Sequence, residues 1–403
     1  MRLGILTGGG DVPPLNVVIN TIKNQIKNTN HELIGFIYGW QGLLQKSFVK
    51  LNDYPDFSGI GGTILKSSRI NLVIVENGAE KANEILKELK IDGLIIIGGD
   101  DTLSNAYHID QCPCVLISKT IDNDVGDMNQ GENDLNLDSI TNYFTLGYPT
   151  AANKIISYSS LEYGLRTTAY SHERIIILES MGMHAGWLAL ASGLGSPDFI
   201  IIPEFPLNYE RFCHKLITIY EQQKNAIVVI AEGAKFDDGT IINADYNEMD
   251  DFGHPQFGGS SYALKKKLKK DLKKYFNTRN INAVNPSYLY RAGAPNNIDK
   301  NISEKLGKTA FHLLVNEKIT NSTFLTIQQK KGLFEPKPIP LSFFPKTENS
   351  RFPKRYVDFR FYNADELNIS QAGIKYVSKI AEQKYLDDLN FNKKEYSINN
   401  FKF

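Results

Sequence analysis

Short uninterrupted apolar runs alternate with longer stretches of helical period along most of the 403-residue chain. Residues 3–7 run to Thr7 and stop at Gly8-Gly9-Gly10-Asp11, which predicts a strand ending in a glycine turn. Residues 15–27 follow with apolar positions Leu15, Val18, Ile19, Ile22 and Ile26, the pattern of an amphipathic helix. Residues 94–97 form a continuous apolar run stopped by Gly98-Gly99-Asp100-Asp101, and residues 115–117 lead into Lys119-Thr120-Ile121-Asp122-Asn123-Asp124. Further buried strands are predicted at 175–178, 199–202 and 226–230, separated by helical patterns such as 209–223. Strands without polar alternation, divided by helices, imply an α/β fold with mainly parallel sheets covered on both faces. In 265–274 the leucines Leu264, Leu268 and Leu272 recur every four residues among lysines, which reads as a solvated amphipathic helix. From about Leu333 several prolines and aromatics (Pro336, Pro338, Pro340, Phe343, Phe344, Pro345) suggest a separate C-terminal appendage that wraps or extends the core.

Composition narrows the function classes. Lys plus Arg and Asp plus Glu both number 45, so the net charge is zero and nothing favours nucleic acid or an acidic membrane surface. Cys112, Cys114 and Cys213 are too few for a disulfide framework, and Cys-x-Cys without a second pair is not a zinc site. Buried thiols in a reducing compartment are the expectation. With no apolar run near ~20 residues and no leader pattern, a cytoplasmic protein is expected.

In parallel α/β sheets ligands bind beyond the carboxyl ends of the strands, and three of these ends carry suggestive chemistry. Gly8-Gly9-Gly10-Asp11 lets backbone approach a phosphate ahead of a helix N-terminus, although a tight strand-to-helix turn needs the same residues. It is neither a Walker loop nor a Gly-x-Gly-x-x-Gly fingerprint, which counts against a P-loop ATPase and a dinucleotide-dependent dehydrogenase. Gly98-Gly99-Asp100-Asp101-Thr102 offers two adjacent carboxylates, one suited to Mg²⁺; the alternative is a helix start with Asp as N-cap. The stretch 118–124 combines a cation with two carboxylates, the groups needed to take a hydroxyl proton and hold a metal during phosphoryl transfer. A surface turn is the alternative there.

Gly9-Gly10-Asp11, Gly98-Gly99-Asp100, Lys119-Thr120-Ile121-Asp122-Asn123-Asp124 and Met181-Gly182 stand in the order and spacing of phosphofructokinases. Gly61-Gly62-Thr63-Ile64-Leu65-Lys66-Ser67-Ser68-Arg69, Thr167-Thr168-Ala169-Tyr170-Ser171-His172-Glu173-Arg174, Ala231-Glu232-Gly233 and Phe252-Gly253-His254-Pro255-Gln256-Phe257-Gly258-Gly259 also resemble that family. Asn285-Pro286-Ser287-Tyr288-Leu289-Tyr290-Arg291-Ala292 is similar to the variant in its longer and pyrophosphate-using branches. The resemblance spans roughly residues 3–318 and implies two Rossmann-like domains with an active site in the interdomain cleft. The expected boundaries are 1–137 plus about 292–330 for a donor and Mg²⁺ domain, 138–291 for a sugar-phosphate domain, and 331–403 for the appendage.

By the same resemblance Asp122 takes the proton of the sugar 1-hydroxyl, while Asp100 and Asp124 serve Mg²⁺. Thr120, Met181, Glu232, Tyr288 and Arg291 hold fructose 6-phosphate, and Arg174 reaches the sugar phosphate of a neighbouring subunit, which implies a homo-oligomer. Gly9 and Arg69 contact the donor phosphates. Asp101 and Lys119 stand where ATP-using members tend to have glycine. A carboxylate at 101 repels an α-phosphate, since two like charges ~4 Å apart cost about 4 kcal/mol at an effective dielectric near ~20. The Lys119 ammonium would neutralise pyrophosphate. An Asp101–Lys119 ion pair with a purely structural role fits the same positions.

Four departures stand against this pattern. Met183 occupies the place of the usual arginine, whose loss in related chemistry costs about 10³–10⁵ in rate; His184 and Lys119 are the nearest substitutes. Pro14 replaces a glycine, removing an N–H from the donor loop. Ser118 replaces a proline, and Asn282 stands near the place of a second cross-subunit basic residue, with Arg279 close by. The expected activity is pyrophosphate-dependent phosphorylation of fructose 6-phosphate. The alternatives are a non-catalytic sugar-phosphate-binding regulatory paralogue and an ATP-dependent kinase of the same fold.

Overall fold

The computed structural model describes residues 1–126, 135–162, 164–243, 259–344 and 352–386. Eleven strands form its two larger sheets. In chain order they are β1 (Arg2–Thr7), β2 (Glu32–Phe36), β3 (Phe48–Lys50), β4 (Gly93–Gly98), β5 (Cys114–Ser118), β6 (Ile175–Ser180), β7 (Phe199–Ile201), β8 (Ala226–Ala231), β9 (Ile281–Val284), β10 (Thr323–Lys330) and β11 (Leu333–Pro340). Unit 1 comprises Met1–Thr150 and Arg291–Arg355; unit 2 comprises Ala151–Tyr290 and the chain from Tyr356 onward.

The sheet of unit 1 has the order β11-β10-β5-β4-β1-β2-β3. Its five inner strands run parallel, and the edges β3 and β11 are antiparallel to their neighbours. β4 and β5 are buried along their whole length, which explains their lack of polar alternation. Thr7 pairs with Ile97 and Gly98 with Ser118, so the ends of β1, β4 and β5 lie level. From β1 the chain passes to β2 on one side, and β4 later joins β1 on the other. This reversal of strand order is the place where an open α/β sheet leaves a crevice for a ligand. The residues following β1 and β4 there are Gly8 and Gly99.

The C-terminal region extends the core, as a strand of its sheet and not as a separate piece. β11 is an edge strand of the unit 1 sheet, and Pro336, Pro338 and Pro340 alternate along it opposite Ile327, Leu325 and Thr323. Prolines at every second position of an edge strand cost no ladder bond when those positions face outward, and they block further pairing. Residues 352–355 also belong to unit 1, whereas the chain from Tyr356 belongs to unit 2. In unit 2 the rings of Phe361 and Tyr376 pack on buried Trp187 with centroids 5.6 and 5.2 Å away.

Unit 2 has a four-stranded parallel sheet of order β7-β8-β6-β9. The helix Tyr209–Gln223 buries Phe212, Cys213, Leu216 and Tyr220, the stripe its period predicted. The lysine-rich run lies mostly in the helix Ser260–Asp271, whose Leu264 and Leu268 are fully buried while Lys266, Lys267 and Lys270 are exposed. All three cysteines are free and buried. Among the described residues no helix is long and apolar enough to cross a membrane.

Candidate active site

In unit 1 the loop after β1 is held from two sides. Gly8 N–H donates to Ile97 O and Gly9 N–H to Ser68 O, both at 3.0 Å, while Ser67 Oγ donates to Gly9 O. These bonds tie the glycine loop to the segment that carries exposed Arg69. From below, the buried Lys119 ammonium donates to Gly10 O. Arg291 Nη1 donates to Asp11 O at 3.2 Å and stands 2.8 Å from where a Cβ on Gly10 would lie. Burial is the main cause that lowers the Lys119 pKa to about 7; the Arg291 and Arg69 charges add to it against Asp11 and Asp100. One loop is thus faced by three cationic side chains.

The helix Leu15–Ile26 offers less to an anion than its position suggests. Pro13 and Pro14 carry no N–H, Pro14 is the N-cap, and Asn16 N–H is engaged by Gly62 O at 3.1 Å. Buried Asn16 also clamps the loop before Arg69, accepting from Ile64 N at 2.8 Å and donating to Ile60 O at 2.9 Å.

An acidic cluster occupies the ends of β4 and β5. Gly99, not an aspartate, caps the short helix Asp100–Ser104. The two neighbouring carboxylates then diverge: Asp101 is exposed, while the Asp100 side chain is 16% exposed. The turn 119–124 is fixed by Lys119 N–H to Gly98 O at 2.9 Å, Asp122 N–H to Thr120 Oγ1 at 3.1 Å and Thr145 Oγ1 to Thr120 O at 2.6 Å. Asn123, buried and in the left-handed region at φ 56°, accepts from Thr145 N at 3.0 Å. Burial raises the Asp122 pKa, opposed by Arg291, Lys354 and Lys119. Asp124 is pushed up to about 7 by burial and by Asp122 and Asp100, against Lys354. Lys354 Nζ lies 3.3 Å from Asp100 Oδ2. That contact is an ion pair without hydrogen-bond geometry, because Asp100 Oδ2 and Asp122 Oδ1 are buried oxygens with no hydrogen-bond partner.

These oxygens fit a hard divalent cation. Among the described residues no three His, Cys, Asp or Glu side chains form a cage for a metal on their own. Mg²⁺ requires no such cage, since it takes one or two carboxylates, water and substrate phosphate oxygens.

In unit 2 the ends of β6 and β8 meet. Gly182 N–H donates to Glu232 Oε1 at 3.2 Å and Gly233 N–H to Gly182 O at 3.3 Å. A Cβ on Gly233 would come within 1.9 Å of Met183 O, so the two turns touch. Met181 precedes this contact and is half-buried. Arg174 lies at the other end of β6, roughly 20 Å of strand away at ~3.3 Å per residue, where it donates to Thr168 Oγ1 at 2.6 Å. Arg279 is at that same end, just before β9, and Asn282 lies within β9. Tyr288 is 74% exposed, whereas Tyr290 is buried and donates to Glu179 O at 2.9 Å.

The structure therefore gathers Gly9, Arg69, Asp100, Asp101, Lys119, Thr120, Asp122, Asp124 and Arg291 in unit 1, and Met181 and Glu232 in unit 2. Within unit 1, Arg291 sits with the glycine loop. The resembling segment at 252–258 lies outside the described residues. Sequence reasoning missed Lys354 and Arg355, which no local motif signals.

Level strand ends carrying glycine turns, cations and carboxylates define an α/β protein with mainly parallel sheets. Residues 2–314 match the Phosphofructokinase family, and the chain belongs to that family. A protein of Dictyoglomus thermophilum named pyrophosphate–fructose 6-phosphate 1-phosphotransferase is 38% identical over 320 residues, covering 78% of this chain and 86% of its own. A protein of Streptomyces coelicolor named ATP-dependent 6-phosphofructokinase 3 is 36% identical over 315 residues, covering 76% and 85%. The crystal structure of a pyrophosphate-dependent phosphofructokinase from Nitrosospira multiformis has a TM-score of 0.76 at 19% identity, covering 94% of this chain and 91% of that one, and shows the shared fold.

Proposed function

We propose that the protein transfers a phosphoryl group from pyrophosphate to the 1-hydroxyl of fructose 6-phosphate, giving fructose 1,6-bisphosphate and phosphate reversibly in glycolysis. The observation that carries this reading is the charge arrangement of unit 1. Lys119, Arg69 and Arg291 face one glycine loop, and Asp100, Asp122 and Asp124 cluster at the adjacent strand ends. Cations on the loop hold the donor phosphates, with Gly9 letting the backbone approach. Asp122 accepts the hydroxyl proton as the oxygen attacks, and the cations Arg291, Lys354 and Lys119 favour the ionised carboxylate this needs. Asp100 and Asp124 would hold Mg²⁺, which when bound neutralises charge on the transferring group. Thr120, Met181, Glu232, Tyr288 and Arg291 contact the sugar phosphate. Arg174 lies at the far end of β6 from Met181, which supports its service to a neighbouring subunit in a cytoplasmic homo-oligomer, a dimer or tetramer.

Relatives named for either donor stand at similar identity, so donor choice rests on Asp101 and Lys119. Asp101 projects outward from the first helical turn beyond β4, where its carboxylate repels a longer nucleotide chain. Lys119 fills the base of the loop with a cation.

The test is phosphorylation of fructose 6-phosphate with Mg²⁺, comparing pyrophosphate with ATP. Turnover with pyrophosphate and little with ATP is expected, and D101G/K119G should gain ATP use. Turnover with ATP alone overturns the donor reading. Binding of fructose 6-phosphate without turnover by either donor would favour the regulatory paralogue that Met183 suggests.

A further inference from the structure

The segment 352–355 lies beyond the residues that match the family, yet it closes over the acidic cluster of unit 1. Phe352 N–H donates to Ser104 Oγ, and its ring packs on Phe324 and Phe344 with centroids 4.9 and 5.3 Å away. Gly126 N–H donates to Pro353 O at 2.9 Å, and Lys354 bridges Val125 in antiparallel fashion. Arg355 N–H donates to Asp124 O at 2.7 Å. The buried Arg355 guanidinium donates to Asn123 O at 3.0 Å, to Asn123 Oδ1, to Asn142 O and to Tyr143 O at 3.3 Å. Both neighbours of Lys354 are therefore bonded to the loop that carries Asp122 and Asp124.

This anchoring fixes where the Lys354 side chain can reach. Its ammonium lies 3.3 Å from the buried Asp100 Oδ2, with side-chain exposures of 22% and 16%. Removing one partner of such a pair leaves the other charge buried and uncompensated. Two further carboxylates close by make that loss larger.

We propose that Lys354 is a built-in counter-cation of the acidic cluster, a positioning residue that holds Asp100 in the cation-free protein and weakens binding of Mg²⁺ ahead of the phosphate donor. A fixed ammonium stabilises the carboxylates and repels a second cation at the same oxygens. The metal then binds well when the donor brings negative charge with it. The Mg²⁺ part rests on Asp100 and Asp124 as the cation-holding carboxylates; the cation-free part does not.

The experiment follows thermal unfolding of the full chain in EDTA and during a Mg²⁺ titration. Lys354→Met should melt several degrees lower in EDTA and recover on adding Mg²⁺. Its half-saturating Mg²⁺ concentration should fall about tenfold below that of the wild type, an ordinary coupling between two sites. Lys354→Arg should behave as the wild type, and D100N/K354M should melt above K354M in EDTA. An equal loss with and without Mg²⁺, at unchanged half-saturation, would make Lys354 merely part of the packing and overturn the proposal. Should K354M not fold, recovery in D100N/K354M supports the counter-cation and its absence overturns it. If no variant responds to Mg²⁺ but Asp100→Asn still rescues K354M in EDTA, the metal reading of the cluster fails while the counter-cation stands.

Discussion

The Lys119 ammonium donates to the Gly10 carbonyl across 109 residues of sequence. Gly9 sits beside it in the left-handed region at φ 77°, and a Cβ there would stand 2.9 Å from the same nitrogen. The end of β5 thus supports the loop after β1 with a charge, and glycine at position 9 leaves room for it.

The position of Lys119 gives it a pH signature. Its pKa in the folded protein is about 7, below the ordinary lysine value. A bound polyanion favours the protonated form, so pyrophosphate affinity should fall as pH rises above ~7, by up to about tenfold per unit. Stability moves the other way. Between the folded and unfolded values the unfolded chain holds more protons, so Lys119 makes the fold more stable as pH rises through that window. Calorimetric titration and melting of Lys119→Met from pH 6 to 9 should show both slopes reduced relative to the wild type. Unchanged slopes would assign the titration to another group.

Asp124 is held near 7 by burial and by two neighbouring carboxylates. A raised carboxyl pKa contributes stability that is complete below the unfolded value and lost as pH rises through ~7. Asp124→Asn should therefore melt several degrees above the wild type at pH 8 in EDTA, while turnover falls by about 10² or more. The gain should shrink at pH 5, where the wild-type group is already protonated. A variant that melts lower at both pH values would show that the carboxylate is satisfied when ionised.

Much of this was legible because parallel strands and their terminal turns are local patterns. The run Leu94-Ile95-Ile96-Ile97 ended where Gly98 and Gly99 said it should, and the leucines of 264–272 marked the buried side of their helix. The strand within the appendage was not legible because Pro336, Pro338 and Pro340 look like breakers in sequence, and only the outward phase of an edge strand makes them compatible with pairing. Lys354 and Arg355 were invisible for a different reason. Their partners Asp100, Asn123, Asp124 and Asn142 are more than two hundred residues earlier, and no motif records such contacts. Arg291 and Asp11 were each found by a motif, but their contact across the fold was not.

The contacts of Arg291 with the glycine loop allow donor and sugar roles to be told apart kinetically. Its guanidinium bonds Asp11 O and lies against Gly10 in the loop assigned to the donor. Arg291→Met should raise KM for pyrophosphate about 10-fold or more, the scale of one charge-assisted hydrogen bond, with a smaller effect on KM for fructose 6-phosphate. Turnover should also fall, because Arg291 is the foremost cation favouring ionised Asp122. The reverse ordering of the two KM changes would return Arg291 to the sugar phosphate.

Met183 offers the sharpest test of how this chain departs from its family. Its backbone is pinned, since its carbonyl abuts Gly233 and the preceding Gly182 bonds both Glu232 and Gly233. The side chain is half-buried. Met183→Arg should then change the charge at this turn and little else, with a melting temperature within a few degrees of the wild type. If the missing guanidinium limits the chemical step, kcat should rise about tenfold or more with little change in KM for fructose 6-phosphate, the mark of an interaction made in the transition state. An unchanged kcat with an intact melting temperature would mean that the transferring charge is already met by the cations of unit 1. Lys119 and Arg291 would then be the residues whose loss slows the reaction most.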